Sequence, residues 1–544
     1  MILIYIILIL MIGGILSLIL RRNPVACKWI ALLAVLADFI MMAVYWIINY
    51  DNISVLKEGA WIADIKKEWI PQWGASFHFA MDGLSLIMVV LTLFLGVVAV
   101  LVTWKKTIER VGFFYLNILW LLAGVLGVFL SLDLFLFYFF WELMLIPMFF
   151  IISIWGHEKR NPAAVKFFLF TQGGGVLMLI AILALYFIHG RATGDYTFDY
   201  FELLGTQVSP KVALWLMLGF LAAFVVKLPV FPFHSWLPDA YTESPTSGTI
   251  ILAGLLSKTA AYGMLRFILP LFPAAAQEIA PYAVIVGVVS ILYGAKLAFA
   301  QTNLKRLVAF TSMSHMGFII VGIFSFTTLA YQGVVLEMVA HGITIGALFV
   351  IAGAINDRIH TLDMDKMGGF WSQIPVMGGI TTVFVLASLG LPSLGNFVAE
   401  FLILSGTFQT YTALAVLASL GLIASMIYSL VILQRIFHGR ERSQLKITDF
   451  SLREKMIMGS LIIVIFWIGL FPQTIFNTVK PPVGILKTHT VFLQKDNNDS
   501  AIELNKDIAT GWWGHQPMLQ SGNKTMKVFP AFTFDYTQIN KKAK

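Results

Sequence analysis

Long hydrophobic runs, separated by short polar segments, dominate the chain from residue 2 to residue 475. A helix of about 20 consecutive apolar residues crosses the hydrocarbon core of a bilayer, and by this criterion the sequence predicts roughly fourteen spans. They lie near 2–20, 26–48, 81–103, 112–130, 134–155, 163–188, 212–237, 246–269, 281–300, 305–325, 332–354, 374–406, 411–436 and 457–475. The pattern therefore predicts an all-α polytopic membrane protein.

Two of these runs are interrupted by residues that break helices. Lys227 lies at the end of a long apolar stretch and is followed by Pro229 and Pro232, which cannot donate backbone hydrogen bonds. A second break, over residues 392–395, precedes Glu400. Interrupted helices are tolerated in lipid only where protein or water shields them, typically at an ion pathway. Both breaks are therefore candidate functional sites.

The spacing of the breaks predicts an internal repeat. They are five spans apart, and an odd number of spans gives consecutive units opposite membrane topology, as in transporters with two inverted repeats. We predict an N-terminal three-helix segment over 1–110, inverted five-helix repeats over 111–270 and 271–437, and a loop with the last span over 438–476. Residues 477–544 are predicted to form a polar extramembrane extension, in which we recognise no long amphipathic helix.

Composition excludes several other classes of protein. The chain is 59% hydrophobic and 12% charged, whereas soluble domains carry about 25% charged residues. The single cysteine, Cys27, excludes a disulfide framework and a thiolate metal or iron–sulfur site held by this chain alone. No Gly-x-Gly-x-x-Gly motif follows a strand pattern and no Gly-x-x-x-x-Gly-Lys-[Ser/Thr] motif is present, so the sequence does not support nucleotide binding. The net charge of +8 is carried mostly by loops, so it does not indicate nucleic-acid binding.

The basic residues of alternate loops predict the orientation. By the positive-inside rule these loops are cytoplasmic and both termini face the other side. The run 2–20 is too long for a signal-peptide core and lacks a small-residue cleavage site, so we expect a retained first helix. The loop residues used are Arg21, Arg22, Lys28, Lys105, Lys106, Arg110, Lys159, Arg160, Lys305, Arg306, Arg435, Arg440, Arg442, Lys446, Arg453 and Lys455.

Several ionisable residues fall near the middle of the predicted spans. Counting 1.5 Å per helical residue from each span end places six of them near one plane. Ionisable side chains at this depth generally mark proton or ion pathways. The candidate proton-path residues are Glu142, Lys227, Lys258, His315, His341 and Glu400, with His234 close to a span end.

Each residue also has a purely structural interpretation. Lys227 could snorkel to the headgroups, although it lies ~24 Å along a helix from Lys211. Glu142 could be a structural partner of a buried lysine, and Lys258 could satisfy helix carbonyls. The histidines could be neutral packing residues, with His234 at the interface. If the carboxylate nearest Lys227 approaches and retreats, however, the lysine can hold and release a proton, and histidines can relay it.

The same segments resemble the antiporter-like subunits of respiratory complex I (NADH-quinone oxidoreductase). The match covers roughly residues 80–475. The glutamate at position 400 is similar to that of M-type chains (chain 4 in mitochondria), whereas L- and N-type chains usually have lysine at this position. The motifs are Phe-Tyr-Phe-Phe-Trp-Glu-Leu-Met-Leu-Ile-Pro (137–147), Lys-Leu-Pro-Val-Phe-Pro-Phe-His-Ser-Trp-Leu-Pro-Asp-Ala-Tyr (227–241), Leu-Ser-Lys-Thr (256–259), Ser-His-Met-Gly (314–317) and Gly-Asn-Phe-Val-Ala-Glu-Phe (395–401).

The resemblance implies proton translocation coupled to quinone reduction elsewhere in the complex. It implies that Glu142, Lys227, Lys258 and Glu400 form the path, with His234, His315 and His341 assisting. It also implies no cofactor in this chain, with NAD, FMN, iron–sulfur clusters and quinone on other subunits, and flanking membrane chains of the L and N types.

Other functions are also compatible with the sequence. The chain could serve a multi-subunit Na⁺/H⁺ antiporter or a membrane-bound hydrogenase, or be an architectural spacer. A haem carrier using His315 and His341 would leave the buried lysines, acids and broken helices without a role. A bacterial inner membrane fits the lack of a targeting peptide, although a mitochondrially encoded chain would also lack one.

Overall fold

The computed structural model describes residues 1–57, 59–439, 447–496, 519–521 and 524–526. Within this part of the chain, twelve helices are long and apolar enough to cross a membrane, and a bent pair makes up to thirteen. Two shorter apolar helices, Pro375–Ser388 and Gly395–Phe408, cover the predicted interrupted span 374–406, and the predicted polytopic all-α class is confirmed. The predicted loop residues Arg440, Arg442 and Lys446 lie outside the described residues.

The N-terminal part consists of three long helices and a hairpin. Its elements are α1 (Ile2–Ile19), α2 (Pro24–Ser54), β1 (Ala63–Ile70), β2 (Ala75–Met81) and α3 (Gly83–Val102). The segment between the second and third predicted spans, for which the hydropathy pattern predicts no regular element, contains the two strands, which pair antiparallel from Ala63 opposite Met81. The strands are short and carry mixed charge, so hydropathy alone does not reveal them.

Ten further spans follow in two groups of five. The first group contains α4 (Val111–Leu130), α5 (Leu134–Leu143), α6 (Leu145–Trp155), α7 (Arg160–Thr193), α8 (Tyr200–Leu203), α9 (Pro210–Lys227), α10 (Leu237–Glu243), α11 (Thr246–Ile251), α12 (Ser257–Gly263) and α13 (Leu269–Leu271). The second contains α14 (Pro273–Phe299), α15 (Leu304–Ile323), α16 (Thr328–Ile359), α17 (Pro375–Ser388), α18 (Gly395–Phe408) and α19 (Thr412–Ile432).

In each group the fourth span is the interrupted one, α9–α10 in the first and α17–α18 in the second. The α11–α13 span includes two π-helical segments, Leu252–Leu256 and Met264–Ile268. The inverted relation of the two groups and the predicted domain limits stay predictions.

The chain continues into α20 (Leu452–Leu470), α21 (Gln473–Asp496) and the short strands β3 (Leu519–Ser521) and β4 (Lys524–Met526). The extension predicted from residue 477 therefore begins as a helix, which bends by 67° from α20. Ile475, Val479 and Val483 recur every four residues and are buried, so one stripe of α21 packs against the bundle although its overall composition is polar.

Five of the described spans begin at a polar side chain that caps the helix. Polar side chains cap the first turns and satisfy backbone N–H groups that lipid could not. Such caps are Asn23, Asp82, Asp133, Asn303 and Thr327. Asp133 also accepts from the backbone N–H of Ser76 at 2.7 Å and so joins the hairpin to α5.

The centre of the bundle is formed by the span 246–271 and by α16. The most apolar window of each is fully buried, whereas the corresponding window of α2 is only 22% buried. Ionisable residues on the central helices are consequently shielded from lipid by protein on every side.

Candidate functional site

The first helix break is built so that its freed backbone groups find partners. α9 ends at Lys227, and the chain runs without regular helix to Trp236. The Trp236 indole N–H donates to the Val226 carbonyl at 2.9 Å, and the Phe231 N–H donates to Ser290 Oγ at 3.0 Å. These bonds replace the helical bonds that the prolines remove, so the break is a stable feature.

Lys227 is buried, with 2% of its surface exposed, and does not reach lipid. Its Nζ lies 3.6 Å from the centroid of the Trp141 ring, a cation–π geometry. As the last residue of α9 it also benefits from the negative end of the helix dipole. Within the described residues Lys227 forms no ion pair, so its electrostatic interaction with Glu142 acts over more than contact distance.

Glu142 lies at the junction of α5 and α6, next to Trp141 in the chain. Tyr138 and Gln172 stand beside its half-buried carboxyl group, and its Oε1 has no hydrogen-bond partner within the described residues. Gly175 of α7 leaves the space that this carboxyl group occupies, because a Cβ at that position would collide with Oε1.

Lys258 lies at the centre of the bundle, on a helix without exposed residues. Its Nζ donates to the Ala253 carbonyl at 2.8 Å and to Ser257 Oγ at 3.2 Å, and it lies within hydrogen-bond distance, 2.7 Å, of His341 Nδ1. Since α12 packs against α9, Lys227 and Lys258 lie on adjacent helices.

A chain of contacts leads from Lys258 to the second break. The His341 ring lies 5.5 Å from the His315 ring, centroid to centroid. His315 Nδ1 is 2.6 Å from Glu400 Oε1 and 3.8 Å from Glu337 Oε1, and its Nε2 is 3.4 Å from Ser388 Oγ. The histidines, both acids and Ser388 are buried. Acids and bases in direct contact at this depth are able to exchange protons.

The second break, over 389–394, leaves room for Glu400. Gly390 adopts a positive φ of 79°, and a Cβ there would lie 3.4 Å from Glu400 Oε2. That oxygen has no hydrogen-bond partner within the described residues. Glu400 therefore holds His315 with one oxygen and presents the other toward the interrupted backbone.

The structure groups the predicted residues unevenly. Lys258, His341, His315 and Glu400 form one contiguous cluster, and Lys227 is linked to Glu142 through Trp141. His234 is half-buried, and its ring packs against Phe231 and Tyr293, outside that cluster.

Sequence reasoning gave no buried role to several ionisable residues, among them Glu337, Lys305 and Asp38. Glu337 lies one helical turn before His341, so the depth criterion that selected Glu400 would also have selected it. Lys305, used above as a loop charge, is buried and its Nζ donates to the Ser244 carbonyl at 2.9 Å. Asp38 of α2 is buried, and neither of its oxygens has a hydrogen-bond partner within the described residues.

One group of side chains in the described part of the chain has the composition of a metal site. His315, Glu337 and Glu400 offer ligand atoms within 4.8 Å of one another. Zinc ligands lie about 2.0–2.2 Å from the ion, so two tetrahedral ligands are roughly 3.4 Å apart. The 2.6 Å between His315 and Glu400 is shorter and is that of a charge-assisted hydrogen bond, so this geometry fits a proton better than a metal ion.

These features define a class of protein: a multi-pass α-helical membrane protein with buried acids and bases arranged around two helix breaks. Residues 131–427 match the family described as NADH:quinone oxidoreductase/Mrp antiporter, TM. The chain is 49% identical over 486 residues to NADH-quinone oxidoreductase subunit M of Pseudomonas aeruginosa. The aligned residues cover 88% of this chain and 96% of that protein.

It is 48% identical to the Escherichia coli K12 subunit M over 466 residues, 84% of this chain and 92% of that protein. A chain of respiratory complex I from Thermus thermophilus with bound NADH matches with a TM-score of 0.79 and 28% identity, over 90% of this chain and 100% of that chain. The chain belongs to the NADH:quinone oxidoreductase/Mrp antiporter transmembrane family, and the resemblance inferred from its motifs is confirmed.

Proposed function

We propose that the chain is the proton-translocating M-type membrane subunit of an NADH-quinone oxidoreductase, driven by quinone reduction elsewhere in the complex. The observation that carries the proposal is a buried row of four side chains, in which Lys258–His341 and His315–Glu400 are hydrogen-bonded pairs and the two imidazole rings lie 5.5 Å apart, centroid to centroid. Burying these groups in apolar surroundings is costly, and a merely architectural helix bundle has no need of them.

In the proposed mechanism the first break acts as the switch. Lys227 is held against a neutral aromatic ring and Glu142 is its nearest acid, so movement of either side chain changes whether the lysine keeps its proton. The proton then passes to Lys258 and on to His341.

His341 accepts at Nδ1 and can donate from Nε2, which has no hydrogen-bond partner within the described residues. His315 transfers the proton to Glu400, and the second break provides the exit. His234, outside the cluster, would assist at the membrane face.

The partners and location follow from the same proposal. We expect L- and N-type chains on either side in the membrane arm, a surrounding lipid bilayer, and a bacterial inner membrane. NAD, FMN, iron–sulfur clusters and quinone would be bound by other subunits, with none in this chain. The Pseudomonas and Escherichia relatives are named as subunit M of an NADH-quinone oxidoreductase, which supports the placement of this chain in such a complex.

Replacing Lys227 by alanine tests the proposal. In purified complex reconstituted into proteoliposomes, we expect Lys227→Ala to lower quinone-linked proton pumping by about 100-fold, the scale of an essential proton-transfer group, without loss of assembly. Lys211→Ala is the matched control, because Lys211 is an exposed lysine on the same helix. Unchanged pumping by Lys227→Ala would overturn the proposal, and pumping that requires sodium would favour cation/proton antiport instead.

A further inference from the structure

Glu337 lies beside the His315–Glu400 pair and has no role in the proposed mechanism. It lies on α16, is fully buried, and neither of its oxygens has a hydrogen-bond partner within the described residues. A buried carboxyl group that only supported the packing would be expected to have its oxygens hydrogen-bonded. The lack of partners points to a group that gains and loses a proton.

The surroundings of Glu337 supply both a proton donor and a balancing charge. Its Oε1 is 3.8 Å from His315 Nδ1, the nitrogen that also contacts Glu400. Lys258 and Glu400 are close enough to interact with it electrostatically. His341 lies four residues later on the same helix and therefore on the same face. Glu337 thus stands between the Lys258–His341 pair and the His315–Glu400 pair.

We propose that Glu337 is a second proton acceptor for His315, so that two carboxyl groups alternate at the end of the path. This proposal rests on the proposed function, since it concerns the same proton route. A small rotation of the imidazole directs Nδ1 from Glu400 toward Glu337.

The transfer itself is a simple exchange of bonds and charge. The N–H bond of the imidazolium breaks and an O–H bond forms on Glu337 Oε1. Imidazolium and carboxylate become neutral imidazole and carboxylic acid, so the net charge of the cluster is unchanged. His315 is then free to receive the next proton from the side of Lys258 and His341 while Glu400 discharges. The additional acid would let the cluster store one proton while another leaves.

The test compares two substitutions at Glu337 in the complete complex. Glu337→Gln keeps the size of the side chain and removes the titrating group, whereas Glu337→Asp keeps the carboxyl group. We expect the glutamine variant to lower the number of protons pumped per quinone reduced by about threefold, less than the roughly 100-fold loss of an irreplaceable proton-transfer group. The aspartate variant should retain most of the pumping of the unmodified chain.

Tyr331→Phe is the matched control, because Tyr331 is another buried residue of α16 whose hydroxyl has no partner within the described residues. It should pump normally. A second readout is infrared difference spectroscopy during turnover, in which a protonated-carboxyl band should disappear in Glu337→Gln and remain in Tyr331→Phe.

The outcomes separate this inference from the proposed function. If Lys227→Ala abolishes pumping while Glu337→Gln pumps and absorbs like the unmodified chain, Glu337 carries no proton and only this inference fails. If Glu337→Gln and Glu337→Asp are equally impaired or fail to assemble, the residue is structural and the inference is overturned. If Lys227→Ala pumps normally, the proposed function itself fails.

Discussion

The two broken helices use the same backbone device but hold their charges differently. At the first, Lys227 ends a helix, faces the Trp141 ring and has no ion-pair partner within the described residues. At the second, Glu400 follows the break and is bonded to His315 at 2.6 Å, with Glu337 close by. The first site has one acid near its base, and the second has two.

The difference suggests different tasks for the two sites. A cation–π contact of a desolvated lysine is worth about 2 kcal/mol or more, and an approaching acid can replace it, so Lys227 can leave the ring. A buried imidazole between carboxylates is held more firmly, because removing one partner leaves an uncompensated charge. The first site is therefore suited to switching, and the second to receiving and storing protons.

The sharpest test of this comparison removes one acid from each site. Glu142→Gln should reduce quinone-linked pumping by about 100-fold, because Lys227 then lacks its nearest acid. Glu400→Gln should cost only about tenfold, because Glu337 stays beside His315. Both variants are measured in proteoliposomes with assembly checked by native gel electrophoresis. Equal losses would show that the second acid gives no redundancy.

A smaller effect is expected from crowding the first acid without removing it. Gly175→Ala places a Cβ against Glu142 Oε1 and displaces the carboxyl group. Because a shift of about 1 Å can cost up to roughly 100-fold in a positioned reaction, we expect a loss of about tenfold in pumping. Gly173→Ala is the control, since a Cβ at Gly173 meets nothing within 4 Å. The idea fails if both alanine variants pump equally.

The last prediction concerns stability and a charged group outside the spans, His78 with its two carboxylate partners. His78 of β2 is bonded to Asp199 at 2.6 Å and to Asp64 at 3.2 Å. Burial by itself lowers the pKa of His78, but these two carboxylates raise it to about 9. The folded chain therefore binds this proton more tightly than the unfolded chain does, for which the pKa is about 6.5.

The stabilisation is fully present below about pH 6.5 and is lost as the pH rises through about 9. His78→Gln should lower the free energy of unfolding by at most about 3 kcal/mol at pH 6.5, with little difference from the unmodified chain above pH 9.5. Thermal unfolding in detergent at the two pH values measures this. A deficit that is the same at both would show that the imidazolium is not the stabilising form.

Much of this architecture can be derived from the sequence, for a physical reason. Lipid offers the backbone no hydrogen bonds, so long apolar runs must be helices and a proline pair inside one must mark a break. The spans, both breaks and the depth of Lys227, Lys258 and Glu400 follow from that constraint. The structure buries all three within the bundle.

Only the tertiary structure decided which of these side chains meet. Depth along a helix does not say which way a residue faces, and the packing of α12, α15, α16 and α18 brings Lys258, His341, His315 and Glu400 into one cluster. The same packing leaves His234 outside.

Packing also buries Lys305, which the sequence places in a loop, and lets it donate a hydrogen bond to a backbone carbonyl. It brings Glu337 to within 3.8 Å of His315. Hydropathy determines where the chain enters and leaves the bilayer, because that depends on local composition. The partners of a buried charge depend on helix rotation and contact between distant segments, which local composition does not specify.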